Sequence, residues 1–218
     1  MFAGALVVIA LRMSVAGAML LVGGLGYAAI NGWMPLLSAI KTMTYSKFAN
    51  NSLAVLPLFL VMGEFASHGG MNSRLFRAAL SWFGHMRGGL AMATIGGCAA
   101  FGAICGSSLA TAATMSKVAL PEMRKAGYSP ALSTGTLAAG GTLGILIPPS
   151  IILVIYAVYT EQSVGALFVA AIIPGLIATL QYMIVVNTYA RLVPGSSPSI
   201  PRAPWSERVA ATRGAWPI

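Results

Sequence analysis

The chain has 218 residues, of which 57% are apolar and only 8% are charged, and its mean hydropathy is +0.82. Soluble domains carry about 25% charged residues, so this composition excludes an ordinary water-soluble fold and predicts an all-α integral membrane protein. The net charge of +9 does not indicate nucleic acid as a partner. Basic residues beside membrane spans set their orientation, and the sequence has no zinc-finger or RNA-binding signature.

Residues 1–52 are predicted to contain one membrane helix and an interfacial connection. Residues 1–11 are apolar but too short to cross the bilayer, which takes about 20 residues. Met13–Ile30 is predicted as the membrane helix. Pro35–Asn50, which holds two lysines, is interpreted as a connection at the membrane surface.

Residues 53–190 are predicted to form a membrane-embedded region. Leu53–Ser67 and Val164–Tyr189 are uninterrupted apolar segments, apart from one glutamate in the first. Ser73–Met86 combines arginines with large apolar side chains at helical spacing, which predicts an amphipathic helix near a membrane surface.

Two further segments of this region are long and apolar but are broken in the middle. Residues 89–120 are interrupted by Gly106-Ser107-Ser108, and residues 129–159 are interrupted by Pro148-Pro149. Non-helical backbone at membrane depth is tolerated only where it is buried in protein or lines a cavity. Discontinuous helices near the midplane are the sequence feature that best indicates a transporter site.

The distribution of lysine and arginine predicts the orientation. If the N-terminus, residues 74–87, residues 117–125 and the tail after Arg191 are cytoplasmic, eleven of the 13 basic residues lie inside. Residues 89–120 then join two cytoplasmic segments, so they must enter the membrane and return as a re-entrant hairpin. The loop Thr160–Ser163 is expected outside.

The first break supplies candidate binding groups at the tip of that hairpin. A turn at Gly106, Ser107 and Ser108 leaves two hydroxyls and free backbone amides at the N-terminus of the next helix. Helix N-termini attract anions because their amides carry partial positive charge.

The second break supplies candidate ligands for a cation. Pro148 and Pro149 have no N–H, so they cannot bond the carbonyls of Gly144 and Ile145, four residues earlier. These oxygens, with the hydroxyl of Ser150, are the neutral ligands that suit sodium.

Close packing is the alternative explanation for these small residues. Glycines at GxxxG spacing, such as Gly102 and Gly106, let membrane helices approach one another, and for a single pair this is the better interpretation. A Gly-Ser-Ser turn and a Pro-Pro-Ser break in the same chain favour a binding site instead.

Other titratable residues indicate little chemistry. Glu64 lies in an apolar segment, within expected reach of Arg74 or Arg77, and a structural role is favoured. The sequence contains no aspartate and no HExxH motif, and Gly106-Ser-Ser-Leu-Ala is not the GxSxG of a hydrolase. We therefore expect no enzyme activity, no resident cofactor, and sodium coupling through neutral oxygens rather than a carboxylate proton relay.

Five segments together resemble the large membrane subunit of tripartite ATP-independent periplasmic (TRAP) transporters, the DctM-like family. Each is weak by itself, but their order and spacing are specific. They are LPLFLVMGE (56–64), GSSLA (106–110), LPEM with GY (120–123 and 127–128), GTLG with IPPSI (141–144 and 147–151), and LF with PG (167–168 and 174–175).

The resemblance implies a multi-pass protein of the bacterial inner membrane that imports organic acid anions, such as C4-dicarboxylates or sialic acids, with sodium as the coupling ion. It implies two partners, a small membrane subunit and a periplasmic binding protein. It also implies an inverted-repeat, elevator-type fold in which each repeat carries a hairpin and a broken helix. Residues 53–190 would be the first repeat, with its hairpin at 89–120 and its broken helix at 129–159. The matched positions are Ser107 and Ser108 at the first hairpin tip, and Gly144, Pro148, Pro149 and Ser150 on the first broken helix. By the resemblance, these positions are the candidates for sodium and substrate contacts, with Ser107, Ser108, Gly144 and Ser150 as the sodium ligands.

The resemblance covers only the N-terminal half of the family pattern, since family members are about twice this length. Residues 191–218 are therefore expected to be a cytoplasmic linker to a missing second repeat, with Trp205–Trp216 as a short surface helix capped by Ser206. Two alternatives stay open: another inverted-repeat sodium or anion transporter, and a membrane scaffold subunit that does not transport.

Overall fold

All regular structure is helical in the residues that the computed structural model describes, which are 2–48, 55–193, 195–198 and 204–215. The helices in these ranges are α1 (Phe2–Ala10), α2 (Val15–Asn31), α3 (Trp33–Phe48), α4 (Val55–His68), α5 (Met71–Phe83), α6 (Gly89–Cys105), α7 (Ser108–Lys125), α8 (Pro130–Leu146), α9 (Ile151–Thr160), α10 (Val164–Leu192) and α11 (Trp205–Ala215). They divide into unit 1, residues 1–53, and unit 2, residues 54–218.

Unit 1 consists of α1, α2 and α3, with α2 packed against both neighbours. Ser14 caps α2, because its hydroxyl accepts a hydrogen bond from the amide of Gly17 at 3.3 Å. Within the predicted interfacial connection Pro35–Asn50, the described residues 35–48 are helical, since α3 runs over Trp33–Phe48, and residues 49 and 50 lie outside the described residues. Pro35 does not prevent this helix, because in the first turn of a helix its missing N–H has no partner to lose. The position of this connection at the membrane surface stays a prediction.

The apolar side chains of α2 are mostly exposed. Only Ala18 and Ala28 are buried on this helix, while Leu20 is 79% exposed and Ile30 is 77% exposed. Exposed apolar surface on this scale calls for apolar surroundings, which a lipid bilayer provides.

Unit 2 is built around α6. This helix is packed against α4, α5, α7, α8 and α10, and side chains such as Ala91, Ile95 and Phe101 are fully buried. Glycine and alanine make up much of α6, so neighbouring backbones can approach closely.

Helices α6 and α7 form an antiparallel hairpin. The hydroxyl of Thr94, early in α6, lies 3.7 Å from the sulfur of Met123, late in α7. At the other end, Cys105 Sγ is 3.1 Å from Thr111 Oγ1. The second arm is longer than predicted, because α7 continues past residue 120 and through Pro121 to Lys125.

Several chain segments meet at the open end of this hairpin. The phenol oxygen of Tyr128 accepts a hydrogen bond from the amide of Leu90 at 3.2 Å, which joins the loop after α7 to the start of α6. Burial raises the pKa of this phenol, while the bond from Leu90 lowers it. The amide of Ser129 donates to the carbonyl of Ser196 at 3.1 Å, so the beginning of the tail lies at this end too.

Helix α10 is 29 residues long and apolar enough to cross a membrane, and little of it is buried inside the structure. Helices α8 and α9 pass the same test only as one span bent by 40°, and α2 and α6 are shorter apolar helices. Among the described residues, length and composition therefore give one span, or two if the bent pair is counted.

Helix α5 turns its apolar face towards α6 and α7. Phe76, on this face, is 2% exposed and belongs to a buried cluster with Cys98 and Met115. The amphipathic pattern thus reflects packing on protein, and the position of α5 at a membrane surface stays a prediction.

The tail helix α11 packs on α5 rather than standing alone at the surface. The Trp82 and Trp205 rings meet edge to face with centroids 5.7 Å apart, and the Arg208 guanidinium lies 5.9 Å and 5.8 Å from them respectively. The predicted cap at Ser206 is wrong, because the helix already begins at Trp205 and the carbonyl of Pro204 accepts its first hydrogen bonds. Part of the predicted linker, residues 194, 199–203 and 216–218, lies outside the described residues.

Candidate functional site

The two breaks in unit 2 are in direct contact. The amide of Ile151, at the start of α9, donates a hydrogen bond of 3.3 Å to the carbonyl of Gly106, at the hairpin turn. A Cβ on Gly106 would lie 2.6 Å from the carbonyl oxygen of Pro149, and the backbone here has a φ of +62°. Only glycine satisfies both the left-handed conformation and the close approach.

A second glycine contact holds α8 against the hairpin. A Cβ on Gly144 would lie 2.6 Å from the hydroxyl of Thr111 and 2.9 Å from the carbonyl oxygen of Ser107. From the opposite direction, a Cβ on Gly102 would lie 2.7 Å from the Cα of Gly144. The predicted residues of the two breaks therefore form one cluster, in which Gly144 lies between the two arms of the hairpin.

Each break is followed by a helix with a serine cap. Ser107 caps α7 with φ −131° and ψ 123°, and Ser150 caps α9 with φ −128° and ψ 129°. Each hydroxyl accepts a backbone hydrogen bond, from Ala110 at 3.4 Å and from Leu153 at 3.5 Å respectively. Two helix N-termini thus lie next to each other, and their combined partial positive charge favours an anion nearby.

The hydrogen bonding of the Ile145 carbonyl differs from the prediction. The sequence suggested a free oxygen, but the buried hydroxyl of Ser150 donates to it at 2.7 Å. This side chain replaces the amide that Pro149 lacks. A carbonyl oxygen has two lone pairs, so a cation could still bind the second.

Pro148 and Pro149 are half-buried and joined by a cis peptide bond. Pro148 leaves the carbonyl of Gly144 without its usual helical donor, as the sequence predicts. The hydroxyl of Thr142 takes no part in the cluster, because it donates to Ala139 O at 2.7 Å and lies 3.3 Å from the Tyr182 hydroxyl.

A small cavity of about 80 Å³ opens beside the hairpin turn. Half-buried Ser107 lines it together with Glu64 and Ser67 of α4. The expected pairing of Glu64 with Arg74 or Arg77 is not found, because its carboxylate lies 3.3 Å from the His68 ring, one turn along the same exposed face.

The sequence analysis missed two residues of this cluster. Thr111 is fully buried, contacts Gly144 and lies 3.1 Å from Cys105 Sγ. Thr111 follows Ser107 by one helical turn, so its position facing α8 was the signal that could have identified it. Cys105 is the last residue of α6 before the turn, and its apolar sequence context gave no signal that it belongs to the cluster.

Exposed apolar helices combined with two unwound segments in contact are typical of membrane transport subunits. The model of the family described as "Tripartite ATP-independent periplasmic transporter, DctM component" matches residues 2–218. The chain belongs to this family, which confirms the resemblance found in the sequence.

Three relatives illustrate what the chain is similar to. It is 42% identical to the C4-dicarboxylate TRAP transporter large permease protein DctM of Pseudomonas aeruginosa, over 81% of this chain and 40% of the relative. It is 38% identical to the ectoine TRAP transporter large permease protein TeaC of Halomonas elongata, over 77% of this chain and 39% of the relative. It is 35% identical to the sialic acid TRAP transporter permease protein SiaT of Haemophilus influenzae, over 75% of this chain and 26% of the relative.

The matched region thus spans 40% or less of the length of these relatives. The names of these relatives carry three different substrates. The relatives are transporter permeases and not enzymes.

Proposed function

We propose that this chain forms part of the transport path of a sodium-coupled importer for organic acid anions of the C4-dicarboxylate or sialic acid class. The observation that carries the proposal is the contact between the two breaks, with Ile151 N–H bonded to Gly106 O. Unwound backbone from two segments, together with two adjacent helix N-termini, is the arrangement that transporters use for ions and anionic substrates.

Within this cluster, some groups suit an anion and others suit a cation. The backbone amides at Ser107 and Ser108 suit a carboxylate, because helix N-termini favour negative charge. The backbone carbonyls of Gly144 and Ile145 and the hydroxyls of Ser107, Ser108 and Ser150 suit sodium, which prefers neutral oxygens. Gly106, Pro148 and Pro149 hold the backbone in the shape that exposes these groups.

The hairpin α6–α7 is proposed to be re-entrant. Its arms have 17 and 18 residues, which is about 25 Å of helix each, short of the roughly 30 Å hydrocarbon core. The hydrogen bond between Leu90 and Tyr128 joins the start of α6 to the loop after α7. This supports a hairpin whose two ends lie on the same side of the membrane. Movement of this hairpin together with α8 and α9 would carry substrate in an elevator-like step.

The proposal includes the partners of the family type: a small membrane subunit, a periplasmic binding protein and the lipid of the inner membrane. The test is uptake in proteoliposomes that contain the transporter expressed from its complete gene, with both partners added. A sodium gradient should drive accumulation of labelled C4-dicarboxylate or sialic acid, and a potassium gradient of equal size should not. Equal uptake with either gradient contradicts sodium coupling, and uptake of ectoine alone contradicts the substrate class.

A further inference from the structure

A second polar cavity lies between α5 and α7, outside the cluster of the two breaks. It has a volume of about 410 Å³ and is lined by Ser73, Phe76, Arg77, Leu80, Lys117, Val118 and Glu122. The apolar members are buried or half-buried, whereas Arg77 and Lys117 are exposed. The lining therefore combines an apolar floor with a charged rim.

The charges at this rim do not cancel. Glu122 has its own partner, Lys125, with Nζ 3.4 Å from Oε1. Among the described residues, neither Arg77 nor Lys117 lies within ion-pair distance of a carboxylate. The cavity thus presents two positive charges and the hydroxyl of Ser73, which is the chemistry that binds a phosphate group.

We infer that this cavity, the Arg77–Lys117 pocket, binds the headgroup phosphate of an anionic phospholipid in the cytoplasmic leaflet. The apolar floor distinguishes a lipid from a free anion, because Phe76, Leu80 and Val118 can cover the glycerol and the start of an acyl chain. Basic pockets between membrane helices on the cytoplasmic side recognise lipid headgroups in this way.

The position of the pocket rests on the proposed re-entrant hairpin. Lys117 follows the capping residue Ser107 by ten residues of α7, which is about 15 Å of helix. If the hairpin turn lies near the midplane, Lys117 reaches the edge of the hydrocarbon core, half of roughly 30 Å away. A lysine at this depth extends its ammonium group to the headgroups.

Native mass spectrometry of the transporter from its complete gene tests the inference, with phosphatidylglycerol and phosphatidylcholine of matched chains. The wild type should retain phosphatidylglycerol preferentially. The preference for phosphatidylglycerol over phosphatidylcholine should fall roughly fivefold in Arg77→Gln and in Lys117→Gln. Arg74→Gln is the matched control, because Arg74 is exposed on the same helix but does not line the pocket.

Three outcomes overturn the inference: equal loss in Arg74→Gln, no loss in the double variant Arg77→Gln/Lys117→Gln, or displacement of the lipid by excess inorganic phosphate. Lys117→Arg should keep the preference, which separates charge from misfolding. The depth of a fluorophore on Val118→Cys, measured by quenchers at known depth, tests the hairpin separately. If the fluorophore lies at the depth of the headgroups but the protein shows no preference for phosphatidylglycerol, only the lipid-binding pocket is contradicted. If the fluorophore lies far from the headgroups, the proposed hairpin is contradicted.

Discussion

The amide nitrogen of Ile151 lies 3.3 Å from the carbonyl oxygen of Gly106, so the start of α9 is tied to the turn between α6 and α7. The two residues lie in different segments of the chain, and each is next to a helix break. A change at either break should therefore affect both.

The packing between α8 and the hairpin should be sensitive to one methyl group. Gly144→Ala places a Cβ 2.6 Å from Thr111 Oγ1 and 2.9 Å from Ser107 O. We expect a loss of about 1–3 kcal/mol in the free energy of unfolding, because neither arm of the hairpin can move freely. Thermal unfolding in detergent measures this.

Gly135→Ala is the control, since a Cβ there meets nothing within 4 Å on the same helix α8. It should be neutral or slightly stabilising. Equal melting temperatures for the two variants would show that the close approach of α8 to the hairpin is wrong.

The Ser150 hydroxyl is expected to contribute more to the free energy of unfolding than a helix cap alone. Ser150→Ala removes the cap of α9 and also the bond of 2.7 Å to Ile145 O. Ser163→Ala, the control, removes only the exposed cap of α10. The control should cost about 1 kcal/mol, and Ser150→Ala should cost about 1 kcal/mol more because the Ile145 carbonyl loses its hydrogen-bond donor.

Thermal unfolding of both serine variants gives the comparison. If Ser150→Ala is no more destabilised than Ser163→Ala, the bond to Ile145 has no energetic role. Ser150→Thr keeps the hydroxyl and should recover part of the loss.

The serines at the hairpin turn are predicted to affect sodium dependence. Ser107→Ala or Ser108→Ala should lower the apparent sodium affinity by about tenfold, since one oxygen bonded to an ion contributes about 1.5 kcal/mol. Protein abundance should fall less. The measurement is uptake against sodium concentration in the complete transporter.

Ser116→Ala provides the control on the same helix, because Ser116 bonds only the carbonyl of Ala112 one turn earlier. Its sodium curve should match the wild type. Unchanged curves for both Ser107→Ala and Ser108→Ala would remove these residues from the proposed site.

The charge distribution and the hairpin together predict the membrane topology. His85 and Arg124 flank the hairpin near its open end and are exposed, as is Gln162 in the loop between α9 and α10. Cysteines at the first two positions should react with an impermeant reagent from the cytoplasm, and a cysteine at Gln162 should react from outside. Native Cys98 and Cys105 are buried and should react slowly.

Labelling of His85→Cys and Arg124→Cys from opposite sides would show that the hairpin crosses the membrane and is not re-entrant. Labelling of both from outside, with Gln162→Cys from the cytoplasm, would invert the orientation and leave the hairpin intact.

The docking of α11 on α5 should depend on the two tryptophans and the arginine between them. Trp82→Ala removes an edge-to-face ring contact, a cation–π contact and a hydrogen bond of 3.1 Å to Thr212. Together these are expected to contribute about 1–2 kcal/mol. Amide exchange in residues 205–215 should become roughly 5–30-fold faster.

The matched control is Arg213→Ala, which changes an exposed basic residue of α11 without touching the tryptophans. Its exchange should stay at the wild-type rate. Identical exchange in both variants would contradict docking through Trp82.

Much of the helix pattern could be predicted from the sequence, because local chemistry decides it. The break at residues 106–107 follows from a glycine in the left-handed region and a serine cap, and the second break follows from two prolines without N–H groups. The prediction failed where a neighbour decides the outcome. No local pattern says that the Ser150 hydroxyl compensates Ile145. The pairing of Glu64 with His68, by contrast, has the i,i+4 spacing of neighbours on one helix and could have been predicted.

The sequence by itself determined that this is a helical membrane protein of the DctM family, and which backbone segments cannot be helical. These are consequences of composition and of the conformational limits of glycine and proline. Only the tertiary structure decided that Gly106 meets Ile151, that Gly144 lies against Thr111, and that α11 returns to α5. Such contacts join residues far apart in the chain, and they form because buried polar groups and close-packed glycines need partners that only folding brings near.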